Sequence, residues 1–153
     1  MTSLKEQLKS DLTTSMKARQ EEVTSTLRMA LAAVMNAEVA GDAAKVLSDD
    51  QVLDVLRAEV KKRIESAEIY DGANRTDAAQ KERAEAAIIE KYLPAQMADD
   101  ELSKIVAEEV AVASASGITG GKAMGAVVKA VRGRVGASAD GAKIAALVKV
   151  ALG

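Results

Sequence analysis

The chain lacks histidine, cysteine, tryptophan and phenylalanine altogether, and each absence closes off a chemistry. Without His or Cys it cannot build a Cys/His zinc site, a cysteine nucleophile or a Ser-His-Asp relay. Carboxylates alone can hold Mg²⁺, but acids on solvated helices usually serve solubility, so neither a metal nor a cofactor is expected. The only aromatics are Tyr70 and Tyr92, too few for a platform on which successive bases stack. Any contact with nucleic acid would therefore rest on phosphates, backbone N–H groups and shape. The lack of cysteine also excludes a disulfide-stapled secreted scaffold. No apolar run approaches the ~18 residues of a membrane span, and the charged start Ser3-Leu4-Lys5-Glu6 has no signal-peptide core. The expectation is a cytoplasmic protein with no membrane contact.

Proline occurs once, at Pro94, and the apolar spacing elsewhere is helical. Leu4, Leu8, Leu12 and Met16 recur every four residues behind a Ser3/Glu6 capping box. Val23, Leu27, Ala30, Leu31 and Val34 mark a second helix ending near Gly41, followed by a loop over 42–47. Ser48 with Gln51 opens a long third helix whose core face is Val52, Leu53, Leu56, Val60 and Ile64, and Gly72 ends it in a left-handed cap. Asp77 with Gln80 starts a fourth helix through Ala84, Ile88 and Ile89 to Tyr92-Leu93. Pro94 disfavours helix at the residue before it, which makes it the best domain boundary; Tyr92-Leu93-Pro94 is most simply an anchor at that junction. A fifth helix follows Ala98 and uses Leu102, Ile105, Val106 and Val110. After a Ser/Gly-rich break over 114–121, a short helix over about 122–132 and a loop over 133–139 are expected, and Asp140 caps a last helix through Ile144, Leu147, Val148 and Leu152. No period-two alternation is long enough for a strand. The fold class is all-α: an N-terminal helical bundle (1–93), then a small three-helix tail domain (98–153). The hydrophobic content is dominated by Ala and Val, so thin cores with close helix packing are expected.

Charge is divided unevenly along the chain. Residues 117–153 hold six bases (Lys122, Lys129, Arg132, Arg134, Lys143, Lys149) against one acid, Asp140, a local charge of +5; residues 1–116 carry −7. Such a split can mark a surface that meets an anionic partner, RNA foremost. On a helix beginning at Lys122, Lys122 and Lys129 fall about 20° apart with Arg132 about 60° further round. Met124, Val127, Val128 and Val131 cluster opposite. Gly121 and Gly125 bare a strip of backbone beside the cations. Two explanations compete for these glycines: close packing of another helix of the same fold, favoured on physical grounds, and close approach of an RNA backbone. Gly120-Gly121-Lys122 lacks the spacing of a phosphate-binding loop. Arg132-Gly133-Arg134 would carry the cationic face into the following loop. A second basic cluster, Lys61-Lys62-Arg63 with Arg57 one turn earlier, sits among Asp54, Glu59 and Glu65 and reads as a solvated, salt-bridged face. No pair of carboxylates stands out for acid–base work.

Several blocks together resemble the YqeY family, free-standing relatives of the tail domain that ends the GatB component of the tRNA-dependent amidotransferase. They are Thr26-Leu27-Arg28-Met29, Glu59-Val60-Lys61-Lys62-Arg63, Ala73-Asn74-Arg75, Tyr92-Leu93-Pro94-Ala95-Gln96-Met97, Gly121-Lys122-Ala123-Met124-Gly125 and Asp140-Gly141. The resemblance implies a helical bundle with a helical tail domain and a link to misacylated tRNA. Carried onto this chain, it implies RNA contacts from Lys122, Gly125, Lys129, Arg132 and Arg134. Two departures stand out: the family commonly runs from its basic Gly-Arg pair almost directly into Asp-Gly, whereas residues 135–139 intervene here, and Ala98 replaces a Ser or Thr cap.

The expected function is a non-catalytic, tRNA-binding accessory protein. The alternative is a protein–protein adaptor without RNA binding. A third reading is a component of a glutamine-dependent carbon–nitrogen ligase (amidotransferase) complex, in which any activity needs partner subunits. Sequence leaves the oligomeric state open.

Overall fold

The computed structural model describes residues 2–153. Among them the chain forms seven α-helices and one 3-10 turn, with no strand. It divides into two compact units, Met1–Leu93 and Pro94–Gly153.

The first unit contains α1 (Leu4–Lys17), α2 (Glu21–Val39), α3 (Asp49–Gly72) and α4 (Thr76–Glu90). Local chemistry sets several of their ends. Ser3 and Ser48 both form reciprocal capping boxes, with Glu6 and Gln51 respectively, satisfying N–H groups that the first turn leaves without partners. Leu8, Leu27, Val34, Leu56 and Ile89 are almost wholly buried where the four helices meet. Ala30 and Ala86 join them, and these small side chains let the helices approach closely. The hydroxyls of Ser15 and Thr24 share a buried hydrogen bond at 2.8 Å between α1 and α2. Lys5 pairs with Glu38, which also accepts the Leu47 N–H at 3.1 Å. Those two bonds outweigh burial and hold the Glu38 carboxyl below its ordinary value.

Several expectations for this unit change. The helix α3 ends at Gly72 as expected, but the left-handed conformation falls on Asn74, at φ 60°. The turn is closed by Arg75 N–H donating to the Tyr70 carbonyl at 2.8 Å, with the Arg75 guanidinium 5.4 Å from the Tyr70 ring. The fourth helix begins at Thr76 after Arg75, without a side-chain cap, rather than at Asp77. Ile64 is partly exposed, while Arg57 and Arg63 of the supposedly solvated cluster are buried. Their neighbours account for this: Asp54 bonds Arg57 at 3.0 Å, and Glu59 bonds Arg63 at 2.6 Å. Buried cations need such partners. The fourth helix ends at Glu90, short of the expected Tyr92-Leu93, and Tyr92 donates its hydroxyl to Asp11 of α1 within the first unit.

The second unit contains α5 (Asp99–Ala115), α6 (Gly121–Val135), the 3-10 turn Gly136–Ser138 and α7 (Gly141–Leu152). Leu102, Val106, Val127, Val131, Ile144 and Val148 form its core. Asp140 caps α7 by accepting the Ala142 N–H at 3.2 Å. The Ser138 carbonyl accepts the Met97 N–H at 2.8 Å, tying the segment before α5 to the 3-10 turn. The helix α6 runs three residues beyond the expected 132, so Arg132-Gly133-Arg134 is helical and not a loop. Burial of Val131 and Val135 on the same stripe as Val127 holds the last turn together despite Gly133. Gly136, at φ 55°, then takes a conformation that a side chain resists.

Candidate nucleic-acid interface

The helix α6 is strongly two-sided. Ala123, Val127, Val131 and Val135 are buried, and Lys122, Gly125 and Lys129 are exposed. At 100° per residue, Lys122, Gly125, Lys129 and Arg132 lie within about 80° of one another on the outer face, while Arg134 sits about 160° round from Arg132. Four of the five residues implicated by sequence therefore share a face, and the fifth does not.

Arg134 is engaged elsewhere. Its Nη1 donates to Glu108 Oε2 at 2.9 Å and to Glu109 Oε1 at 3.2 Å, both on α5. These bonds push the guanidinium pKa further up, keeping the cation fully charged and locally neutralised. Arg132 is half-buried and donates to the Ala139 carbonyl at 3.2 Å, closing the 3-10 turn over the end of α6. Lys143 of α7 pairs with Asp99 of α5. The strong positive charge read from residues 117–153 is therefore largely balanced by α5: the second unit as a whole holds seven bases and six acids. Lys122 and Lys129 carry no ion pair among the described residues.

The glycines have no packing role inside this unit. A methyl group built on Gly121, Gly125 or Gly133 meets no neighbouring atom within 4 Å. The favoured expectation, that another helix of the fold packs on this strip, is not met. Gly125 leaves open backbone between Lys122 and Lys129 on an exposed face. In mid-helix it costs about 1 kcal/mol relative to alanine, with no intramolecular contact to offset it. Gly120, at φ 67°, starts the helix without a side-chain cap. Sequence periodicity could place the cations but not say whether the strip was covered.

Among the described residues no group of three or more acidic, histidine or cysteine side chains could hold a metal ion. No described helix is long and apolar enough to cross a membrane.

The family model described as "Yqey-like protein" matches residues 5–152. An uncharacterised protein of Schizosaccharomyces pombe is 36% identical over 88 residues, covering 57% of this chain and 69% of its own length. A Meyerozyma guilliermondii protein named "Altered inheritance of mitochondria protein 41, mitochondrial" is 37% identical over 86 residues, 56% of this chain and 44% of its own length. The matched stretch thus spans less than half of that second relative.

Proposed function

Since the chain belongs to the YqeY family, whose model covers it from residue 5 to 152, we propose that it is a non-catalytic accessory protein that binds tRNA through the outer face of α6. In this reading residues 98–153 act as a tail domain like that of the amidotransferase, and residues 1–93 as the bundle that carries it. Lys122 and Lys129 supply phosphate contacts. Gly125 lets a sugar–phosphate backbone come close between them, and Arg132 stands at the far end of the same face.

The observation that carries the reading is the exposed Gly125. A helix interior that forgoes about 1 kcal/mol at a solvent-facing position, with nothing packed there, is a local inconsistency of the kind found at functional sites. Cations on both sides of the bare backbone give it a chemical sense, because phosphate contacts position a nucleic acid without reading its sequence. Glutamine-dependent ligase activity lies outside this reading: no nucleophile–base pair or phosphate loop is found in the sequence.

Titration of the purified protein against bulk tRNA by fluorescence anisotropy tests the proposal. The expected result is micromolar binding whose affinity falls with salt at a log–log slope of about −2, one counterion released for each of the two free lysines. Absence of binding at low salt overturns it. Salt-insensitive capture of a protein by the same face would replace it with the adaptor reading.

A further inference from the structure

The first unit holds a cleft of about 400 Å³ between α2, α3 and α4, made entirely of residues that the tRNA reading does not use. Its size is at the lower end of the range for ligand pockets. One wall is a single stripe of α2, Met29, Ala32 and Ala33. The opposite wall is charged, with Glu59, Lys62 and Arg63 from α3 and Glu82 and Glu85 from α4.

Arg63 lines the cleft with its side chain only 7% exposed. Its Nη1 is well occupied, donating to the Glu59 carboxylate at 2.6 Å and the Glu59 carbonyl at 3.1 Å. The other edge is less well filled. Nε is buried against Glu85, forming an ion pair 3.4 Å from Oε2 without a hydrogen bond, and is closed to a ligand. Nη2 is directed at Met29 Sδ, 3.8 Å away, and a thioether is a weak acceptor. A buried guanidinium ordinarily fills its donors, so Nη2, with only a thioether before it, is the position where a stronger acceptor gains most.

The charges say what else the occupant carries. Three carboxylates face two cations. Glu59 is taken by Lys62 and Arg63, and Glu85 by Arg63, whereas Glu82 has no ion pair among the described residues. An anionic ligand would add to the excess of negative charge. A bare cation would leave Arg63 Nη2 with only the thioether. We infer that the cleft binds a short basic segment of a partner protein, whose main-chain carbonyl accepts from Arg63, whose Lys or Arg side chain meets Glu82, and whose aliphatic part lies on Met29, Ala32 and Ala33. Met29 suits such a wall, because its flexible thioether adapts to the group beside it. The inference stands apart from the tRNA reading and survives its failure.

Methyl-¹³C-methionine labelling of the full chain makes Met29 a reporter at the cleft wall and Met124, in the second unit, an internal control. The probe is N-acetyl-Ala-Arg-Ala-amide, compared with its Glu counterpart and with butylguanidinium, which has the cation without a carbonyl. The expected result is a saturable shift of the Met29 methyl with the Arg peptide and none at Met124. Glu82→Gln should weaken that binding about fivefold, the scale of one exposed ion pair, without altering the helical circular-dichroism spectrum. Butylguanidinium should bind more weakly by a similar factor. The site is overturned by a Met29 methyl that stays still to about 10 mM Arg peptide, the weak end of measurable affinity. Equal response to the Glu peptide or to butylguanidinium, or Glu82→Gln binding within about twofold of the parent, overturns it as well.

Discussion

Arg134 reaches from the last turn of α6 to Glu108 of α5, with its Nη1 2.9 Å from the Glu108 carboxylate. The same nitrogen lies 3.2 Å from Glu109, so one guanidinium is shared between two carboxylates of a neighbouring helix. A cation counted from sequence as part of an RNA face is thereby committed within the fold. The account of that face rests on Lys122 and Lys129, which carry no such commitment among the described residues.

Arg134 lies about 160° round α6 from Arg132, so releasing it should add no phosphate contact to the outer face. The double variant Glu108→Gln/Glu109→Gln removes both carboxylates from a guanidinium that is itself exposed, and is expected to change stability by about 1 kcal/mol or less. Anisotropy titrations across salt should show the slope of the parent, about −2, unchanged. A slope steeper by about one that Arg134→Gln then cancels would show that this side chain does reach phosphate and that the contact extends beyond the outer face.

Gly125→Ala separates stability from function. The new methyl group enters open space on a helix, so urea denaturation should show a gain of about 1 kcal/mol. The same methyl stands where the nucleic-acid backbone is proposed to approach, and tRNA affinity should fall about threefold or more. A variant that is more stable and binds equally well would leave the glycine without its proposed role.

How much of the fold is legible in the sequence depends on the range of the interactions involved. Caps are local: Ser3 with Glu6, Ser48 with Gln51 and Asp140 before α7 can be read because each partner lies within three residues. The length of α6 cannot, since Gly133 argues against helix and only tertiary burial of Val131 and Val135 overrides it. The burial of Arg63 escapes the sequence for a related reason. Acids at i−4 look alike beside an exposed or a buried cation, and its further partner Glu85 lies on another helix, 22 residues on. For the interface, helical spacing places Lys122 and Lys129 on one face, but whether Gly125 is covered is a fact of packing.

Ile89 anchors α4 in the first core with no exposed surface. Ile89→Ala should destabilise the protein by about 2–5 kcal/mol, read from the urea midpoint at unchanged slope. A smaller loss would mean that this core collapses around the cavity more readily than its burial implies.

Tyr92 gives a pH dependence of definite sign. Burial first, then the hydrogen bond to Asp11 and its negative charge, push the phenol's pKa well above the ordinary value near 10. The folded state therefore favours the protonated phenol. Its contribution is fully present below about pH 10 and is lost as pH rises from there toward the folded-state pKa. Tyr92→Phe should be about 1–2 kcal/mol less stable than the parent at neutral pH. That gap should narrow above about pH 10 when urea curves are compared; a constant gap would mean the hydroxyl does not titrate with folding.

The most direct test of the central claim is the tRNA affinity of Lys122→Glu/Lys129→Glu at low and moderate salt, with circular dichroism to verify the helices. Both side chains are exposed and unpaired among the described residues, so the fold should be retained. The account predicts that binding is abolished at both salt concentrations. Affinity within about twofold of the parent would contradict it and remove α6 as the RNA-binding face.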